Sequence, residues 1–207
     1  MGQLPVPAAA PGKPCMSAMT ELEICGAQER LSRIEDRLEL LELPALYSRA
    51  IDDQQIDDLL DCFCVDGIFE RANGSRSTVG HAALGAFYAE TLREYGVSQH
   101  IPHAQVIEQL RGDEAAGWVL AHAELAVGDQ YVVAAIRYED DYRRVGGRWR
   151  FARRSINFWY MTDWNHLGET VIADDRVRFR SHGPADLPHR TASYQRFVGG
   201  ETRNPAP

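Results

Sequence analysis

Two polar residues, Tyr47 and Asp52, interrupt an amphipathic pattern in the stretch from Leu40 to Phe63. Apolar residues recur at helical spacing on both sides of a polar corner, which predicts two helices with one buried stripe each. A carboxylate at a helix C-terminus faces the negative end of the helix dipole. Residues that break such a local rule are candidates for a functional site. The alternative is that Asp52 and Asp53 form a solvated turn, in which one of them caps the second helix.

His100 and His103 lie three residues apart in the segment SQHIPH, which opens a predicted strand. Side chains alternate between the two faces of a strand, so these histidines point to opposite faces unless Pro102 introduces a bulge. That geometry argues against a shared metal ion, and the sequence contains neither an HxH nor an HExxH pattern. No metal site is therefore expected.

His122 lies in the middle of another predicted strand, WVLAHAEL, where it shares a face with Trp118, Leu120 and Glu124. A single histidine in such a strand is more often a structural residue with a satisfied hydrogen bond than a catalyst. Glu124 is its expected partner.

Asn157 has the same strand parity as Trp149 and Phe151 and is therefore expected to face inward. A buried amide needs hydrogen-bond partners, so a polar pocket lining and a backbone bridge both remain open. The nearby arginine-rich run from Arg143 to Arg154 crosses a predicted hairpin. Its alternation indicates a solvated edge or a subunit contact.

These candidates must be positioned by helices followed by long strands. The periodicity predicts a helix over Ala27 to Leu43, a new helical segment beginning at Pro44, and a short strand in GIFERA. A helix over Gly80 to Tyr95 follows. Four strands joined by tight turns come next: Ser98 to Gln109, Ala115 to Val127, Gln130 to Val145 and Gly147 to Tyr160. This order predicts an α+β fold with helices packed on one face of a long, bent antiparallel sheet that encloses a small-molecule cavity.

Composition excludes several classes of protein. The 207 residues have a net charge of -8, so we expect no nucleic-acid partner. No apolar run is long enough to span a membrane, and the N-terminus does not resemble a signal peptide. The four cysteines are not spaced as a disulfide framework or a zinc site. These features predict a cytoplasmic protein.

The two ends of the chain differ from the middle. Residues 1–19 are rich in Pro, Ala and Gly and are predicted to be a disordered tail. Residues 20–164 are predicted to form the folded domain. Residues 165–207 are predicted to be an irregular extension, which packs on the domain or on a neighbouring subunit because its apolar residues would otherwise be stranded in water.

Four segments together resemble the SnoaL-like branch of the NTF2-like (cystatin-like cone) superfamily. They are ALYSRAIDDQQIDDLLDCFCVDGIFE, VGHAALGAFY, SQHIPHAQVIE and YEDDYRRVGGRWRFARRSINFWY. The resemblance covers roughly Ala27 to Trp164. Within that group the functional pattern is similar to scytalone dehydratase, bile-acid 7α-dehydratase and hexachlorocyclohexane dehydrochlorinase.

The resemblance implies a histidine base supported by an aspartate, acting in an elimination without a metal or an organic cofactor. Asp52 and His100 match the family's dyad, and Tyr47 matches a tyrosine that precedes the aspartate. His122 and Asn157 match substrate-binding positions. Departures occur at Ile51, at Glu70–Arg71 and at Phe158, where the related enzymes carry residues that polarise the substrate. Aromatic residues are expected to line the cavity: Phe69, Phe87, Tyr88, Trp118, Phe158, Trp159 and Tyr160.

The resulting hypothesis is a cofactor-independent lyase that eliminates water or another small group from a hydrophobic, ring-containing molecule. The resemblance also implies a homo-oligomer, with a trimer favoured. A carbon–carbon lyase or an isomerase would use the same dyad. A non-catalytic ligand-binding module, or the small structural subunit of an oxygenase, is the alternative from another class.

Overall fold

The computed structural model describes residues 21–180 and 182–200, with the side chains of residues 25–180 and 182–199. The predicted disordered tail over residues 1–19 lies outside this range. The described residues divide into two compact units, with the division between Glu35 and Asp36. In the described ranges, no helix combines the length and the apolar composition required of a membrane-spanning segment.

The elements follow one another as helices and then long strands. Helix α1 spans Glu21–Asp52, α2 Ile56–Asp61 and α3 His81–Arg93. The strands are β1 (Phe63–Arg71), β2 (Ser77–Val79), β3 (Tyr95–Arg111), β4 (Glu114–Val127), β5 (Gln130–Val145) and β6 (Arg148–Asp163). After a 3₁₀ turn at Trp164–His166 come α4 (Leu167–Ile172) and α5 (Ala192–Gly200).

The six strands form one sheet in the order β2-β1-β6-β5-β4-β3. Strands β3 to β6 make the predicted antiparallel meander, whereas β1 pairs with β6 in parallel. Bulges interrupt the pairing of β3 with β4 and of β5 with β6, and bulges bend a sheet. The α+β class with helices on one face of a curved sheet is confirmed.

Pro44 does not begin a new helix but lies inside α1, so the predicted break there is wrong. A proline has no N–H, and it therefore leaves the carbonyl oxygen four residues earlier without its helical donor. Here that oxygen belongs to Leu40, and it accepts a hydrogen bond from Gln105 Nε2 of β3 at 3.0 Å. The sheet supplies the missing donor, and α1 continues.

Buried polar contacts fix α1 against the β5–β6 hairpin. The Asp36 carboxylate accepts two bonds from the Arg144 guanidinium, at 2.5 and 3.1 Å, and a third from Trp149 Nε1 at 3.0 Å. Glu39 Oε1 accepts a bond from the Trp149 backbone N–H at 2.8 Å. Charge-assisted bonds of this kind are stronger than neutral ones, and they set the position of the helix end that carries Tyr47 and Asp52.

The C-terminal extension returns to the sheet of its own chain. Asp186 and Leu187 donate their backbone N–H groups to the Phe158 carbonyl, and Asp186 Oδ2 accepts a bond from the Phe158 N–H. Leu187 is buried within the single chain. The prediction of an irregular segment missed α4 and α5.

Candidate active site

Asp52, the last residue of α1, is held by hydrogen bonds from Ser98 and His100 near the start of β3. Its Oδ2 accepts the His100 backbone N–H at 2.8 Å, and its Oδ1 accepts Ser98 Oγ at 3.1 Å. The same Oδ1 lies 2.7 Å from His100 Nδ1. Three donors from β3 thus compensate the unfavourable position at a helix C-terminus. The alternative of a helix cap is wrong, because the N-cap of α2 is Gln55 and it makes no side-chain cap bond.

The contact with Asp52 determines which nitrogen of His100 can act as a base. If the carboxylate oxygen is the acceptor in this contact, Nδ1 is the donor, and in the neutral ring the lone pair then lies on Nε2. Nε2 makes no hydrogen bond to any residue that the structure describes. The side chains of His100 and Asp52 are 12% and 21% exposed. The pair is therefore sheltered but reachable.

His100 opens onto a cavity inside the cone, which we call the inner cavity. Its volume is about 90 Å³, less than the ~150 Å³ that holds a benzene molecule in an engineered protein cavity. Phe69 and Tyr88 line it as predicted, and so does Tyr47. The remaining lining residues include Ile51, Phe87, Leu92, Tyr95, Ala123, Leu125, Ile136, Tyr138, Ile156, Phe158 and Met161.

Tyr47 and Tyr88 place a pair of hydroxyl groups in the wall of this cavity. Their oxygens are 3.0 Å apart. Burial raises the pKa of both phenols well above the ordinary value, and burial also raises the pKa of the neighbouring Tyr138 to about 12. All three phenols therefore stay protonated at neutral pH, so the Tyr47–Tyr88 pair can donate a hydrogen bond to a substrate oxygen.

Arg154 lies behind Tyr47, in surroundings that differ from those predicted for the arginine-rich run. The predicted solvated edge or subunit contact is wrong for it, since it is fully buried. Nε and Nη2 each lie 3.1 Å from a carboxylate oxygen of Asp140. The guanidinium carbon lies 4.3 Å from the ring centre of Tyr47 and 4.0 Å from that of Tyr138. Burial lowers the pKa of Arg154, but Asp140 and the surrounding Tyr47, Tyr138 and Tyr142 together more than offset it, so the pKa lies above its usual value.

A bulge explains why sequence parity failed for Arg154 and also for Asn157. In the pairing of β5 with β6, Tyr142 faces Phe151 and Asp141 faces Arg153, which leaves Ala152 as an extra residue. An extra residue reverses the alternation of faces. Arg154 therefore points inward, and Asn157 lies beside Arg137 on the outer face.

Asn157 consequently does not line the inner cavity, contrary to the prediction. It is buried on the outer face, and its Nδ2 has no hydrogen-bond partner in the described part of the chain. The backbone of the next residue, Phe158, bonds to the C-terminal extension.

His122 and Trp118 also lie on the outer face, so their predicted place in the substrate cavity is wrong. Inward positions in β4 are the odd-numbered ones, such as Ala123 and Leu125, which line the inner cavity. Trp118 Nε1 donates to Glu108 at 3.2 Å. Glu124 is not the partner of His122, because it accepts a bond from Tyr131.

The hydrogen-bond partner of His122 is His103: Nδ1 of His122 lies 2.6 Å from Nε2 of His103. His100 and His103 do point to opposite faces, although β3 has a bulge between Pro102 and Ala104. The two outer histidines line a second, largely apolar cavity of about 810 Å³ between the sheet and the C-terminal extension. We call it the outer cavity. Among the described residues no three His, Cys, Asp or Glu side chains converge as a metal site would require.

Comparison with known proteins identifies the family. Residues 32–155, more than half of the chain, match the SnoaL-like domain. The chain belongs to the SnoaL-like domain family. The predicted resemblance and the NTF2-like cone fold are thus confirmed.

Relatives and solved structures of this SnoaL-like protein cover most of the domain. The uncharacterised protein Rv2910c of Mycobacterium tuberculosis is 29% identical over 128 residues, which is 60% of this chain and 86% of that one. A Novosphingobium aromaticivorans structure, provisionally assigned as an aromatic ring hydroxylase, is 26% identical with a TM-score of 0.59. That match covers 63% of this chain and 94% of the other. Hexachlorocyclohexane dehydrochlorinase LinA type 2 is 20% identical with a TM-score of 0.60, over 65% of this chain and 92% of LinA.

Proposed function

We propose that the protein is a cofactor-independent lyase in which His100 is the general base. The observation that carries this proposal is the 2.7 Å contact between Asp52 Oδ1 and His100 Nδ1 at the wall of an apolar cavity. That contact holds the ring in the tautomer whose free nitrogen is Nε2, and it would stabilise the imidazolium formed when Nε2 takes a proton. A positioned base typically contributes about 10²–10⁴-fold in rate.

The reaction would be a β-elimination within the inner cavity. His100 Nε2 removes a proton from a carbon atom, the electron pair of that C–H bond forms a carbon–carbon double bond, and the leaving group departs with its own bonding pair. Tyr47, whose hydroxyl is paired with that of Tyr88, would donate a hydrogen bond to the carbonyl oxygen or to the departing hydroxyl. A donor aimed at developing negative charge lowers the barrier.

The walls of the inner cavity indicate the class of substrate. Apart from His100, Thr91 and the tyrosine hydroxyls, the side chains that line the cavity are apolar, which favours a hydrophobic molecule. The volume of about 90 Å³ is too small for a substituted ring, so a ring-containing substrate requires movement of lining side chains. Phe87, whose ring stacks on that of Phe69, is the lining side chain that we expect to move, because it is only partly buried.

The likeness to LinA supports this proposal through the fold alone, because the identity is 20%. The name of that enzyme describes an elimination of HCl from hexachlorocyclohexane. Elimination by the present chain rests on its own Asp52–His100 geometry. A carbon–carbon lyase or an isomerase would begin with the same proton transfer, and product analysis separates these reactions.

Carbon-bound proton exchange tests the base directly, whatever the leaving group. The purified protein would be incubated in D₂O with ring ketones such as 2-tetralone, and deuterium at the carbon next to the carbonyl would be followed by NMR. Chloride release from hexachlorocyclohexane would be measured in parallel. We expect catalysed exchange or chloride release by the native chain and its loss in His100→Gln. Equal rates for the two proteins would refute His100 as the base.

A non-catalytic module is the second candidate, and the small volume of the inner cavity favours its structural form over turnover of a ring-containing molecule. One form of this candidate is a structural subunit of an oxygenase. The 26% sequence identity to a provisionally assigned ring hydroxylase is compatible with that form. This candidate predicts that ring compounds bind with no exchange and no product. It also predicts co-purification with a larger oxygenase subunit.

A further inference from the structure

Helix α1 is apolar on two opposite sides where it belongs to the second unit. Leu40, Leu43 and Tyr47 face the core and are at most 5% exposed. Leu38 and Leu41, by contrast, are 57% and 48% exposed. At 3.6 residues per turn, these two leucines lie on the side of the helix away from the buried set. Burial in the core therefore accounts for only one of the two apolar sides.

The part of α1 that belongs to the first unit also exposes large apolar side chains. Leu31 and Ile34 are 57% and 54% exposed. We call Leu31, Ile34, Leu38 and Leu41 the outer stripe of α1. In the sequence, the spacing of its members alternates between three and four residues, and Ala27 and Ala45 continue the alternation at either end. This is the heptad pattern of a coiled coil, with Leu31 and Leu38 at position a and Ile34 and Leu41 at position d.

Charged residues flank the outer stripe in a sign pattern that selects one orientation. Arg30 and Arg37 occupy position g, and Glu35 and Glu42 occupy position e. In a parallel coiled coil, each g residue meets the e residue of the following heptad on the neighbouring helix. Arg30 would then meet Glu35 of a second copy, and Arg37 would meet Glu42. An antiparallel pairing would place arginine against arginine and glutamate against glutamate.

These four charges have no ionic partner in the described part of their own chain. All four residues are exposed. Arg37 Nη1 donates a long hydrogen bond, of 3.4 Å, to the carbonyl oxygen of Ile107. The charges thus remain free to pair between copies.

We propose that the outer stripe of α1 is the interface of a parallel coiled coil between copies of this chain. The heptad spacing and the complementary charges at e and g indicate that a second copy of this chain covers the stripe. Packing within one chain requires neither feature. The first heptad combines Leu31 at a with Ile34 at d, which favours assemblies larger than a dimer. The second heptad has leucine at both positions. The proposal is independent of the proposed function, since no residue of the inner cavity belongs to the stripe.

The mass of the full chain in solution, from light scattering after size exclusion, tests the surface. We expect a multiple of the 23.2 kDa chain mass for the native protein. In Ile34→Glu/Leu38→Glu, buried carboxylates in the seam should weaken association at least about tenfold. Ser32→Glu adds a single carboxylate at an exposed position outside the stripe and should leave the mass unchanged. A monomeric native protein, or an unchanged mass in the double variant, would overturn the proposal.

Charge reversal tests the parallel orientation. Arg30→Glu/Arg37→Glu places like charges at every g–e contact and should weaken association. The fourfold variant, which also carries Glu35→Arg and Glu42→Arg, exchanges the signs and should restore it. An antiparallel assembly would be affected by neither change in this way, because its e and g contacts are already between like charges. Circular dichroism of each variant separates lost association from lost folding.

Discussion

The two faces of the sheet carry similar groups in different surroundings. On the inner face, His100 pairs with a carboxylate, and Arg154 forms a buried ion pair with Asp140. On the outer face, His103 pairs with His122, and the adjacent Arg153 bonds to Asp141 in partial contact with solvent. The outer cavity is the larger one. Among the described residues of the two faces, however, the histidine that hydrogen-bonds to a carboxylate is His100 on the inner face.

The largest expected difference between the faces is catalytic. His100→Gln should lower the rate of substrate-proton exchange by about 10²–10⁴-fold, since it removes the base. His122→Gln makes the same chemical change on the outer face and should leave the rate within a few-fold of the native value. The NMR exchange assay in D₂O measures both. A comparable loss in His122→Gln would move the chemistry to the outer cavity and break the contrast.

Neutralising the carboxylate should come next in size. Asp52→Asn keeps the shape of the side chain, but its amide lets His100 take the wrong tautomer and withdraws the charge that stabilises the imidazolium. We expect kcat to fall by about 10²-fold or more, with a smaller change in KM. Ser98→Ala removes one bond to the same oxygen and keeps the charge, so its effect should be much smaller. A kcat that survives Asp52→Asn would contradict the role of the dyad.

Matched ion pairs test the two faces for stability. Asp140→Asn removes the counter-charge of a fully buried arginine and should cost about 3–5 kcal/mol in the free energy of unfolding. Asp141→Asn removes a partner of Arg153 on the outer face, where exposed pairs typically contribute about 1 kcal/mol or less. Urea denaturation of both variants gives the comparison. Equal losses would show that burial does not distinguish these pairs.

The smallest effect concerns the titration of His122. Partial burial lowers the pKa of His122 below its ordinary value, and the neighbouring His103 adds to this. His103→Gln removes the second influence and should raise the pKa of His122, which NMR of the imidazole C–H signals detects. A depressed pKa means that the folded state prefers the neutral ring. The associated stability is therefore fully present above the ordinary imidazole pKa and is lost as the pH falls from that value through the lowered pKa of the folded state. A pKa that falls in His103→Gln would contradict the pairing.

A local sequence rule marked Asp52 as a candidate, because a carboxylate at a helix C-terminus needs compensation. The family resemblance, not local periodicity, paired it with His100, and the structure brings the two side chains into contact. The strand spans were also close, since alternation and glycine turns are local signals. Asn157, Trp118 and His122 were assigned to the cavity from parity and resemblance, and the structure places all three on the other face.

What the sequence by itself determined is therefore the class of fold, the order of the helices and long strands up to β6, and Asp52 as a candidate residue. Periodicity, turn residues and charge are local properties that one chain segment displays without reference to another. The tertiary structure decided which face Arg154 and Asn157 occupy, because the bulged residue Ala152 reverses the alternation in that part of β6. It also decided that Pro44 could remain inside a helix, because Gln105 on a distant strand supplies the donor that proline lacks.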